Sequence, residues 1–289
     1  MFQPYKGFAY TIRKRAKANG ERNANIQGEL GDLLLRTINR HTHPDGFVRL
    51  DKTTTSILTE MVHYRVSHKV VYISKAFAEK MVKGKMRFYV DAIKIPLGVF
   101  EICFENDTLP SCLVTINPSE AEQNAASRIT KEVLNLKNVD MHGLYDDILN
   151  FSFAFEDDVW AVQVPLSEFD GKTVDEVAAI KTREIDRKLI RVIFGILAYW
   201  NTKQPDIEKW KNHNRGKFGD IKPSEYLIGS KIQNETWFLR SGGPVMLGHP
   251  RYRRDETGHI RIIWRKAAEH NPDGRPPVPQ SKRKVEDID

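Results

Sequence analysis

The chain has 289 residues, of which 45 are Lys or Arg, 38 are Asp or Glu and 2 are Cys, with 40% hydrophobic residues and a net charge of +7. That composition excludes fibrous, collagen-like and wholly disordered chains, and Cys103 and Cys112 alone exclude a disulfide framework, so both are expected as free core thiols in a reducing compartment. The charge is uneven: residues 1–24 carry six cations against Glu21, residues 240–284 carry eleven against four acids, the last five residues add Glu286, Asp287 and Asp289, and the body between is close to neutral. Clustered Lys and Arg at both ends point to a polyanionic partner, because they release counterions from phosphates.

Residues 1–24 show little apolar periodicity and no signal-peptide apolar run, and are expected as a loose basic N-terminal arm carrying Arg13, Lys14, Arg15 and Lys17. The main α+β domain is expected over 25–204. Ile26, Leu30, Leu33, Leu34 and Ile38 recur at helical spacing, and the pattern ends at His41-Thr-His-Pro-Asp-Gly46. Asp51 or a neighbouring Thr is placed to cap a second helix carrying Ile57, Leu58, Met61, Val62 and Tyr64. Val70–Ile73 reads as a strand and Ser74 as the cap of a helix reaching Lys83. Met86–Val90, Leu97–Phe104 and Cys112–Ile116 read as short strands of an antiparallel meander. Pro118-Ser119 opens a polar helix to about Leu136. Ile148–Phe155 and Trp160–Val164 alternate around Glu156-Asp-Asp158 as a hairpin, and Thr173–Thr202 is the longest helical pattern.

The most apolar stretch, Leu189–Trp200, contains Arg191 and is shorter than the roughly 20 residues of a membrane-spanning helix, so it predicts a core helix and no membrane partner. Residues 205–235 are polar and Gly/Pro-punctuated, the expectation for a linker. A small C-terminal β-hairpin module is expected over 236–270, and 271–289, rich in Pro, Gly, Lys and Arg, as a disordered tail. The fold class is therefore α+β, an antiparallel sheet packed with several helices.

The C-terminal hairpin concentrates His249, Arg251, Arg253, Arg254, His259, Arg261, Trp264 and Arg265, a set suited to gripping RNA or an acidic target, since Arg holds phosphate bidentately. The basic N-terminal residues form a secondary contact. His41-Thr-His43 with Asp45 has a chelating spacing, but its position before Pro44 favours helix-end and turn roles; Glu156-Asp-Asp158 favours a solvated turn. There is no phosphate-binding GxxxxGK[ST], no GxSxG and no HExxH, so no catalytic residue, metal or cofactor is assigned.

In colinear order, several segments resemble the type V-A anti-CRISPR family that suppresses biogenesis of a single-protein type V effector nuclease. They are Ile57–Tyr64 with Val71–Ile73, Ile95–Cys103, Ile148–Phe151 with Asp158–Pro165, Thr173–Val177, Ile196–Trp200 with Gln204–Ile207, and Gly248–Tyr252 with Ile260–Trp264. The resemblance departs at Pro244–Leu247, where the family has His and Arg, and at the basic N-terminus. It implies a phage-type inhibitor acting in the cytoplasm of a bacterial host on a CRISPR effector or its nascent N-terminal peptide. Such a protein lowers the effector's expression through translation-coupled loss of its transcript, with ribosome or RNA as further partners. Read from the residues alone, two alternatives stand beside it: a general RNA- or DNA-binding regulator, and a phage nuclease using His249 and His259 as acid and base.

Overall fold

The computed structural model describes residues 1–21, 25–40, 50–84, 97–106, 109–135, 147–156, 158–201, 207–210 and 222–230, positions 86, 89, 90, 93 and 205, and the backbone of 250–254 and 260–264. Helices α1 (Phe8–Ala18), α2 (Ile26–Arg40) and α3 (Lys52–Val62) precede strand β1 (Lys69–Ile73) and helix α4 (Lys75–Lys83). Strands β2 (Val99–Phe104) and β3 (Cys112–Ile116), helix α5 (Glu120–Leu134), and strands β4 (Ile148–Phe155) and β5 (Asp158–Pro165) follow. Helices α6 (Val174–Ile180) and α7 (Glu184–Trp200) and strands β6 (Ile207–Lys209) and β7 (Ser224–Ile228) complete the body.

The class is α+β, and one seven-stranded mixed sheet runs through it in the order β5-β4-β3-β2-β1-β7-β6. Pairing is antiparallel along β2-β3-β4-β5 and at β6-β7, but β1 lies parallel to both β2 and β7. The parallel pair β1-β2 is joined by α4, because parallel neighbours need a crossover rather than a hairpin. Helices cover both faces. The face under α4, α6 and α7 packs Val71, Phe100, Ile102, Val114, Phe151, Phe153 and Val164 against Phe77, Ile193, Phe194 and Leu197. The other face meets α1, α2, α3 and α5 through Ile12, Leu34, Ile57, Met61, Leu113 and Ile129.

Local chemistry sets the expected boundaries. Asp51 accepts from the Thr54 N–H and Ser74 from the Phe77 N–H, and Ser119 with Glu122 and Thr173 with Glu176 form capping boxes. The β4-β5 hairpin turns at Glu156, which adopts φ +55. Cys103 and Cys112 are buried and free.

Four expectations need correction. Of the expected loose arm 1–24, the described residues 1–21 are docked: α1 is an eleven-residue helix whose Ala9, Ile12 and Ala16 are buried. Residues 205–235 do not form a plain linker, since β6 and β7 inside that stretch extend the sheet, β7 pairing with β1 from Lys69↔Ser224 to Ile73↔Ile228. The main body thus exceeds 25–204 at both ends. The sheet expected to be antiparallel is mixed, since β1 runs parallel to both β2 and β7; of the expected strand Met86–Val90, Arg87 and Phe88 lie outside the described residues, and Tyr89 makes an isolated bridge to Thr173. The long pattern Thr173–Thr202 is broken at Lys181–Arg183, where Lys181 and Arg183 take extended backbone and Glu184 and Asp186 start a new helix, their charges suited to its positive N-terminal end.

At the C-terminus, β8 (Pro250–Arg254) and β9 (Ile260–Trp264) pair antiparallel as a separate two-stranded sheet. Residues 271–289 lie outside the described residues. No helix among the described residues is long and apolar enough to cross a membrane.

Candidate contact surfaces and the buried polar seam

The principal expected site falls on the β8-β9 hairpin, whose backbone register sets Arg253 opposite Arg261 and Arg251 opposite Ile263, with Tyr252 opposite Ile262 and Arg254 opposite Ile260. Pro250 pairs with Trp264. Direct pairing of Arg253 with Arg261 is the juxtaposition that alternation predicts, and like charges directly opposed in a sheet are unfavourable without an anion between them. His249, His259 and Arg265 lie outside the described residues, as do His41, His43, Asp45 and Asp157.

The secondary site is fully placed. Arg13, Lys14, Arg15 and Lys17 are all exposed on α1. Arg15 is committed to Glu29 of α2, and Lys6, one turn before the helix, sits 5.9 Å over the Tyr10 ring. Tyr10 is 40% exposed. No group of His, Cys, Asp and Glu among the described residues has the geometry of a metal site.

What sequence reasoning missed lies underneath. Helix α3 is buried from Thr54 to Val62 all round, although Ser56, Thr59 and Glu60 are polar. Ser56, Thr59 and His63 recur at helical spacing and meet polar residues of the sheet in a row. Asn150 Nδ2 donates to Ser56 Oγ at 3.1 Å, Thr59 and Thr115 share a hydroxyl hydrogen bond at 2.7 Å, and His63 Nε2 lies 3.5 Å from Glu101 Oε2. A single π turn, His63–Ser67, continues α3 and brings the rings of His63, Tyr64 and His68 into mutual edge contacts with centroids 4.9–5.6 Å apart.

The same seam clamps the N-terminal segment. Glu60, fully buried, accepts from the Phe8 and Ala9 N–H groups at 2.9 and 2.8 Å, two of the donors left over at the start of α1. Glu101 Oε1 accepts from the Tyr5 N–H at 2.9 Å and from the Cys103 thiol at 3.1 Å, while the Tyr5 hydroxyl bonds Ser152 Oγ at 2.8 Å. The Met1 ammonium donates to Asn106 Oδ1, and Phe2 bridges to Glu105. Burial pushes the Glu60 carboxyl up to about 7, the two backbone donors holding it from going higher. Burial also pushes the Tyr5 hydroxyl and the Cys112 thiol up, which makes Cys112 an inert core group rather than a nucleophile.

Two further polar groupings hold elements together. Glu122 closes the capping box of α5 and also accepts from Ser67, Lys69 and the Val99 N–H, which keeps it ionised below the usual carboxylate range despite burial. Gly98, at φ +64, lets that carboxylate approach the chain where a Cβ would collide with it. On the outer strand β5, the Arg183 guanidinium lies 3.4 Å and the Lys52 ammonium 4.9 Å from the centre of the Trp160 ring. These cations tie the starts of α3 and α7 to the sheet edge and occupy the indole themselves.

No family model matches the chain, and no curated protein matches it. The residues therefore carry the functional reading.

Proposed function

We propose that the protein is a phage-type, anti-CRISPR-like inhibitor that binds a host defence protein, in particular the nascent N-terminal peptide of a type V effector, and lowers its expression. The colinear resemblance supports the reading, and its segments coincide with folded elements: α3 with β1, β2, β4-β5, the start of α6 and the end of α7. The single observation that carries it is the colinear order of those segments; the cationic outer face of α1, where the chain departs from the family, is fixed to the body by Glu60 rather than swinging on an arm. A protein acting at translating ribosomes gains encounter rate from such a face.

The test is a reporter experiment in bacterial cells. Co-expression is expected to lower both transcript and protein of a type V effector with its natural first codons, and recoding the encoded peptide is expected to restore them. Loss of expression that ignores the peptide favours the second reading, a general RNA-binding regulator, which the same cationic face supports. The nuclease alternative requires RNA cleavage that disappears on joint substitution of His249 and His259.

A further inference from the structure

Helix α1 has two faces of opposite character. Its inner face, Ala9, Ile12 and Ala16, is spent against the body. Its outer face reads Tyr10, Arg13, Lys14 and Lys17, spacings of three and four residues that align them in one stripe over two turns, extended at the helix start by Lys6. No acidic residue occurs within α1. Arg15, beside the stripe, is paired with Glu29 of α2.

We propose that this outer stripe is an RNA-contact surface, with Lys14 and Lys17 on backbone phosphates and Tyr10 stacked on a base. It rests on the RNA-binding reading given second above, for which it names the contact surface, and does not depend on which protein or peptide the chain recognises. Two observations favour RNA over a membrane surface or an acidic protein, and a third favours binding as such. A membrane-surface helix needs a free apolar face, and the apolar face of α1 is buried. An acidic protein would give the stripe ion pairs but no particular use for an exposed aromatic ring among them, whereas unpaired nucleic acid takes up cations and rings together. Finally, α1 is held by bonds from Glu60, Glu101, Ser152 and Asn106 to residues 1–9, so the cations are presented on a rigid element whose backbone loses little freedom on binding.

The experiment measures binding of the full chain to a fluorescently labelled oligouridine by anisotropy over a series of salt concentrations, with Lys14→Gln/Lys17→Gln, Tyr10→Ala and Arg15→Gln variants. All four substituted positions are exposed, and an unchanged thermal unfolding curve certifies each fold. The double Lys variant is expected to flatten the slope of log affinity against log salt by about 0.7 per cation removed. Tyr10→Ala is expected to weaken binding about fivefold or more with the slope retained. Arg15→Gln leaves the slope as it was, because that guanidinium is already paired. An unchanged slope in the double Lys variant, absence of binding, or tighter association with anionic vesicles than with the oligouridine would each overturn the proposal. Binding that persists with a full slope after the double substitution would place RNA contact on the 240–284 stretch instead. Failure here leaves the peptide-recoding result untouched, and failure of that result leaves this one standing.

Discussion

Under α4, α6 and α7 the central sheet presents Phe100, Ile102, Val114, Phe151 and Phe153, whereas under α3 the same strands present Glu101, Thr115, Asn150 and Ser152. Both sets are buried, and they alternate along the same strands, so the difference is one of material. Apolar contacts are non-directional and tolerate several packings; hydrogen-bonded pairs such as Thr59 with Thr115 are satisfied in one register only. The apolar face therefore supplies most of the driving force. The polar face fixes where α3 and the N-terminal segment sit, and through them where the cations of α1 point.

The comparison is tested first on the apolar side. Phe151→Ala removes a fully buried ring and is expected to cost about 3–5 kcal/mol in chemical unfolding, with α1 still docked in whatever remains folded. On the polar side, Glu101→Ala strands the Tyr5 N–H and His63 and is expected to cost about 3 kcal/mol. Its signature is different: the Tyr5 amide loses hydrogen-exchange protection ahead of the sheet. Retained protection at that amide would show that the carboxylate does not hold the segment.

Glu60 gives the seam a pH dependence of known sign. Its carboxyl is raised from an ordinary 4.5 to about 7 in the fold, so ionisation costs stability: the cost is absent below pH 4.5, grows as pH rises, and is complete above about 7. The full effect is about 3 kcal/mol. The stability of Glu60→Gln relative to the unsubstituted protein is therefore expected to improve across that window. A difference that stays flat with pH would refute it. Smaller again is Tyr5→Phe, about 1 kcal/mol for the bond to Ser152, read by thermal unfolding. Smallest is Arg15→Gln, expected within about 0.5 kcal/mol because the pair with Glu29 is exposed.

Much of this fold was legible in advance because its signals are local. Asp51, Ser74, Ser119 and Thr173 cap the helices they precede, and the alternation from Ile148 to Val164 gives the hairpin, since caps and strand periods act within a few residues. Helix α1 was not legible as a docked element. Its inner face is mostly alanine, and the acceptor for its first N–H groups is Glu60, about fifty positions away. Strands β6 and β7 were hidden in polar sequence, because β7 owes its place to a parallel partner that precedes it by more than 150 residues. Glu60 and Glu101 read as solvent-facing by type, and only the donors brought to them permit burial.

By itself the sequence determined the capped starts of α3, α4, α5 and α6, the hairpin, the α+β class, the free buried thiols and the concentration of cations near both ends, all consequences of neighbouring residues or of composition. Tertiary structure alone decided that the N-terminal cations stand on a fixed helix, that the sheet is mixed, and that a row of polar groups lies inside the core. Those outcomes depend on pairings between distant residues, and a buried charge or an orphaned N–H acquires its cost or its partner only when the chain closes around it.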